Sequence, residues 1–191
     1  MAPETIKLRT LIVAAVILVA VPARAQDTPA VDVGVGYAFL HDKEIDENFT
    51  TGWLASLNFN FSRTLALTGE VGGSYKTFPS GDEVPVDLDL ALHSLMGGFR
   101  FMSRGNDSLH PYLQVLAGAV RAKVSVDGVD FGAAETNFAA QPGVGVDLRL
   151  AEKVSLRLGG DYRWIKGEGG ADNGSEYRAH AGIAFGIGRR N

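Results

Sequence analysis

The 191-residue sequence contains no cysteine. That excludes thiolate-bound zinc, iron–sulfur clusters and a disulfide framework. It also excludes the lipid-modified N-terminal cysteine of bacterial lipoproteins. Basic residues are in the minority, 18 Lys and Arg against 22 Asp and Glu, so nothing suggests the basic patch that nucleic acid requires. Beyond residue 25, no apolar run reaches the roughly 18 residues of a membrane-spanning helix. Only helices and closed barrels satisfy every backbone group in lipid. If this chain enters a membrane, it does so as a barrel.

What is present begins with a compartment signal. Lys7 and Arg9 precede an almost unbroken apolar run over residues 11–21, followed by Pro22 and Ala23-Arg24-Ala25. This is the three-part pattern of a cleavable secretory signal, so we expect a signal peptide over 1–25 and a single domain over 26–191. Loss of Lys7, Arg9, Arg24 and Glu4 would take the formal charge from −4 to −6.

The remainder alternates with period 2. Strands are predicted over residues 31–40, 52–61, 65–75, 86–101, 111–121, 138–150, 154–164 and 177–188. Strict alternation over segments of about ten residues is the mark of transmembrane strands. Short connections at 62–64, 103–110 and 151–153 alternate with long polar ones at 41–51, 76–85, 122–137 and 165–176. Short turns at one end and long loops at the other match an eight-stranded antiparallel up-and-down transmembrane β-barrel, the expected all-β fold.

The aromatics support the same map. Tyr37, Phe39, Trp53, Tyr75, Phe138, Tyr162, Trp164 and Tyr177 fall near the long-loop ends of the outward faces. Phe59, Phe61, Phe99, Phe101 and Phe185 fall near the short-turn ends. Two such girdles flanking an aliphatic band are what a bilayer selects.

Several segments carry a family resemblance: Leu95-Met96-Gly97-Gly98-Phe99-Arg100-Phe101 before a turn, Pro111-Tyr112-Leu113-Gln114-Val115-Leu116-Ala117-Gly118, and Gln141-Pro142-Gly143-Val144-Gly145-Val146-Asp147-Leu148. The chain resembles the outer-membrane β-barrel domain family, the eight-stranded OmpA- and OmpX-like barrels. The resemblance implies a Gram-negative outer-membrane location. It also implies delivery to the outer-membrane insertion machinery through the final strand, with His180, Gly182, Phe185 and Ile187 as its signal. The sequence departs from that pattern by ending Gly188-Arg189-Arg190-Asn191 rather than on an aromatic residue.

The inward faces carry Asp32, Glu70, Arg100, Asp147, Arg149, Arg157, Asp161, Arg163, Arg178 and His180. Eight strands enclose a lumen just wide enough for side chains to fill. Unpaired charges there would be costly, so mutual pairing is expected. Of these, Glu70, Arg100, Asp147, Arg157, Asp161 and Arg163 are singled out as structural lumen charges. The three-residue turn 151–153 sets Leu150 opposite Val154, Asp147 opposite Arg157 and Gln141 opposite Arg163. In the fourth segment Leu88, Leu90 and Leu92 share one parity, while Leu95, Phe99 and Phe101 share the other. That requires either a bulge near His93-Ser94 or an extension above the membrane.

No catalytic, cofactor or metal site is expected. Gly34-Val35-Gly36 and Gly143-Val144-Gly145 lack the third glycine and the strand–turn–helix context of a phosphate loop, and small residues suit a crowded lumen. His93 and Ser94 are adjacent, so in a strand they face opposite ways and form no dyad. Acidic Asp42, Glu44, Asp46 and Glu47 fit no calcium-loop pattern. The expected function is a structural or surface-interaction role, with the lipid bilayer and an unidentified extracellular partner of the loops as its contacts. The alternatives are a small or gated channel and a lipid A-modifying enzyme.

Overall fold

The computed structural model describes residues 28–79, 87–126, 129–167 and 173–188, without side chains for 129–134. The expected signal peptide, and the chain end at 189–191, lie outside them. Nine strands are present among the described residues: β1 (Val31–Asp42), β2 (Glu47–Phe49), β3 (Thr51–Asn60), β4 (Leu65–Phe78), β5 (Leu88–Met102), β6 (Leu109–Val126), β7 (Val129–Ala151), β8 (Val154–Ile165) and β9 (Gly174–Ile187). From β3 to β9 each strand pairs with the next, β1 pairs with β3, and β1–β9 pairing closes the sheet. All pairings are antiparallel. The result is a closed eight-stranded barrel in which β2 is a short continuation of β3.

Alternation sorts the side chains. On β3, Leu54, Ser56, Asn58 and Asn60 are buried while Trp53, Leu57 and Phe59 are exposed. On β6, whose facing the sequence left open, Tyr112, Gln114 and Leu116 are buried and Leu113 and Val115 are exposed. The outside therefore presents a continuous apolar band, with Leu95, Val115 and Val144 each more than half exposed. A soluble monomer rarely shows so large an apolar surface, and a bilayer accounts for it.

Three expectations need correction, and one open choice narrows. Residues 122–137 are not a loop, because β6 runs to Val126 and β7 starts at Val129. Polar composition there reflects a hairpin standing clear of lipid, not a loss of pairing. Residues 41–51 likewise contain β2. Leu150 does not face Val154, since Ala151 does and the ladder shifts between Arg149 and Ala151. The bulge absorbs one residue at the turn, so Asp147↔Arg157, Leu148↔Leu156 and Val146↔Leu158 keep the register expected of them. Of the two alternatives for the fourth segment, the bulge is excluded, because β5 pairs with β4 continuously from Leu88↔Phe78 to Phe101↔Leu65. Leu90 and Leu92 hold the inward parity and pack together at the long-loop end of the interior.

Candidate functional site

The barrel interior is the one place where chemistry-bearing side chains converge among the described residues. Five carboxylates (Asp32, Glu70, Asp147, Asp161, Glu176) and five guanidinium groups (Arg100, Arg104, Arg157, Arg163, Arg178) are buried. They come from six strands of the barrel, β1, β4, β5, β7, β8 and β9, and from the turn after β5. They form three clusters stacked along the axis.

At the short-turn end, Arg157 on β8 grips its cross-strand neighbour Asp147. Nε and Nη2 donate to the two carboxylate oxygens, each at 2.8 Å. The same Nη2 donates to Asp32 Oδ1 at 3.0 Å, and Nη1 donates to Ser56 Oγ at 3.2 Å. Asn58 and Asn60 donate to the oxygens of Asp32 at 2.6 and 3.2 Å. Paired, bidentate and fully accepted charges are the condition under which ions are tolerated in a dry interior.

In the middle, Arg178 Nη2 bridges Asp161 at 2.8 Å and Glu70 across the barrel. His180 Nδ1 lies 3.2 Å from Asp161 Oδ2, and its Nε2 meets the Tyr112 hydroxyl at 3.1 Å. Space is tight: a methyl group on Gly143 would collide with the Asp161 carboxylate, and one on Gly159 with the His180 ring. These glycines make room for large neighbours rather than for a phosphate.

Toward the long-loop end, Arg163 donates to Glu176 at 2.9 Å, to Gln141 Oε1 at 2.9 Å and to Ser94 Oγ at 3.3 Å. Two glutamines extend these links along the axis. Gln114 accepts from Arg100 and donates to Asp161, and Gln141 accepts from Arg163 and donates to Glu70. Hydrogen bonds thus run unbroken from Arg100 to Glu176, and the Tyr112 ring, with the Arg100 and Arg157 guanidinium groups 4.4 and 5.8 Å from its centroid, joins this run to the Arg157 cluster below.

Glu70, Asp147, Arg157, Asp161 and Arg163 all lie in this column, each against an opposite charge. Arg100 is different. It is buried, but its bonds go to the neutral Gln114 Oε1, and its guanidinium stacks 4.4 Å from the Tyr112 ring centroid. A cation over a ring face gains a share of the missing attraction. Arg149 is half-buried and bonds the carbonyls of Ala151 and Glu152, so it holds the β7–β8 turn. Sequence reasoning missed Glu176, Gln114 and Arg104. Glu176 had a signal, since it shares parity with Arg178 and His180. His93 is exposed and Ser94 buried, on opposite faces.

Above the column the chemistry changes. Between Tyr37↔Trp53 and Leu40↔Phe49 the β2–β3 side contains one extra residue. A one-residue slip turns a strand over, so Phe49 points inward whereas Trp53 points outward. The Tyr37 hydroxyl pins the slip by donating to the Thr50 carbonyl at 2.6 Å. Phe49 is fully buried against Leu40 and Leu92, with Leu90 and Ala122 beside them. Lys76 ties this lid to β4 through Glu47 and the Asn48 carbonyl. At the opposite end a cavity of about 290 Å³ opens below Arg157. Among the described residues, no group of three or more His, Asp or Glu side chains is arranged to hold a metal.

The family model described as outer membrane protein beta-barrel domain matches residues 11–190. No curated protein matches the sequence. Among solved structures, the fold is similar to Neisserial surface protein A, with a TM-score of 0.63 at 16% identity over 82% of this chain and 96% of that one. It is similar to Ail of Yersinia pestis in complex with the heparin analogue sucrose octasulfate, with a TM-score of 0.53 at 18% identity over 84% and 100%. It is also similar to OprG of Pseudomonas aeruginosa, with a TM-score of 0.53 at 10% identity over 87% and 100%.

Proposed function

The chain belongs to the outer membrane protein β-barrel domain family, and from that premise we propose that it is a sealed surface barrel of the Gram-negative outer membrane, working through its external loops rather than by transport or catalysis. The observation that carries this reading is the succession of buried side-chain clusters that fills the axis from Asp147 to Glu176, bridged by the Tyr112 ring and capped by Phe49. A solute crossing the lumen would have to part several paired charges at once, and each parted buried ion pair costs several kcal/mol. The glutamate, aspartate and arginine side chains act here as filling, their charges nearly balanced.

The external partner is read from loop chemistry. Ail, of similar fold, has been solved with a sulfated polyanion. The first outer loop of the present chain contains Asp42, Glu44, Asp46 and Glu47 against Lys43 alone. It repels a polyanion and suits a neutral or cationic partner. Planar-bilayer recording of the refolded protein tests the sealed lumen. We expect no stable ohmic conductance, and a large steady conductance from the folded monomer would overturn the proposal.

A further inference from the structure

We propose that the short-turn mouth of the barrel is a binding site for a phosphate-sized oxyanion, supplied either as inorganic phosphate or as the phosphomonoester end of a small solute. This end faces the periplasm in barrels of this kind. The site does not depend on the lumen above it being sealed.

The cavity of about 290 Å³ lies at the lower edge of the roughly 300–1,000 Å³ typical of small-molecule sites. Its floor is Arg157, and its walls include Asp32, Asp147, Arg104, His110 and Arg149. The two carboxylates are already committed: both oxygens of Asp147 accept from Arg157, and Asp32 accepts from Arg157, Asn58 and Asn60. The cations of the wall are not matched in the same way. Arg104 is only 6% exposed, yet it donates to two neutral oxygens, the Arg63 carbonyl and Asn60 Oδ1. Arg149 donates to the carbonyls of Ala151 and Glu152. Lys153 adds a third cation on the rim, and Glu152 a single carboxylate.

His110 supplies an independent pointer. Its ring lines the cavity at 8% exposure, and its Nε2 is buried with no hydrogen-bond partner. A buried guanidinium hydrogen-bonded only to neutral acceptors, with the carboxylates of Asp32 and Asp147 acting on it at longer range, stands beside an unpartnered imidazole nitrogen, a costly arrangement unless something completes it. A tetrahedral oxyanion does so. It can take charge-assisted bonds from the two guanidinium groups and, with a turn of the His110 ring that brings Nε2 to the cavity, one from the imidazole N–H. A planar apolar ligand would leave all three unanswered.

The test uses the mature protein refolded in zwitterionic detergent, with labelled histidine. Inorganic phosphate, glycerol phosphate and chloride are titrated at constant ionic strength, and the His110 ring resonances are followed. We expect a saturable shift with a phosphate ligand and none with chloride. R104Q and R149Q should each weaken binding about tenfold, while R121Q on the outward face of β6 should leave it unchanged. Tighter binding of glycerol phosphate than of phosphate assigns the phosphomonoester source, and the reverse order assigns the free anion. Absence of a saturable shift with both ligands overturns the proposal. If R104Q fails to refold, unchanged affinity in R149Q overturns it equally.

Discussion

Where Asp147 and Arg157 meet, the barrel is filled by ions that hold one another at 2.8 Å. At the far end, Leu40, Phe49 and Leu92 fill the same cross-section with hydrocarbon. Both regions exclude water from the axis, but they fail in different ways. In the ionic column each partner is costly only when the other leaves, because desolvation has already been incurred. In the apolar lid the loss scales with the volume removed. The ionic column spans most of the lumen and links strands 108 residues apart, as at Arg178 and Glu70. The lid depends on one displaced residue at Thr50. One region is held by redundancy, the other by a single bulge.

Removing one ion should give the largest effect. Arg157→Ala strands Asp147 and Asp32 together and should cost about 3–5 kcal/mol, measured by equilibrium unfolding of the refolded barrel in urea. A loss under about 1 kcal/mol would mean that water enters and solvates the carboxylates.

Phe49→Ala is the matching change in the lid and should cost about 3 kcal/mol, toward the lower end for a buried phenylalanine. It should leave the barrel non-conducting, because the ionic column still closes the axis. Conductance appearing in this variant would make the lid the true seal and would reverse the comparison.

The exterior sharpens the contrast further. Leu57→Arg on the lipid face should cost about 2–4 kcal/mol in bilayers and less in detergent. Ser56→Arg, one residue away and pointed at Arg157, should be equally harmful in both media. Equal medium dependence for the two variants would contradict the facing of β3.

The smallest effect concerns acid. The Lys76 ammonium beside Glu47 holds that carboxyl below its ordinary value of 4.5. A depressed carboxyl stabilises the folded state above its unfolded value, and that contribution fades as pH falls through the folded value. The protection factors of the amides at residues 47–49 should therefore fall only below about pH 4.5, while those of the buried strands hold. Lys76→Met should abolish the pH dependence.

Much of this is legible in the amino-acid sequence. Alternation placed Trp53, Leu57 and Phe59 outside and Glu70, Asp161 and Arg178 inside, because facing follows from a local period of two. Turn length at 151–153 paired Asp147 with Arg157 even though Leu150 bulges, since the bulge falls beyond the pair and shifts only the last residues. The hairpin at 122–137 was misread because polar composition is shared by loops and by strands that stand in water.

Three features belonged to the tertiary structure alone. Phe49 faces inward because of a slip that Tyr37, twelve residues earlier, stabilises with its hydroxyl. Arg100 is answered by Tyr112 and Gln114 rather than by a carboxylate, because β5 and β6 are neighbours and the acids lie on other strands. The cavity at the mouth gathers Arg104, His110 and Arg149 from separate turns and strand ends. By itself the sequence determined the strands, their facing and one cross-strand ion pair, since these depend on periodicity and on the nearest turn. Which charge answers which across the lumen was decided only by closure of β1 on β9, because that step sets distances between residues far apart in the chain.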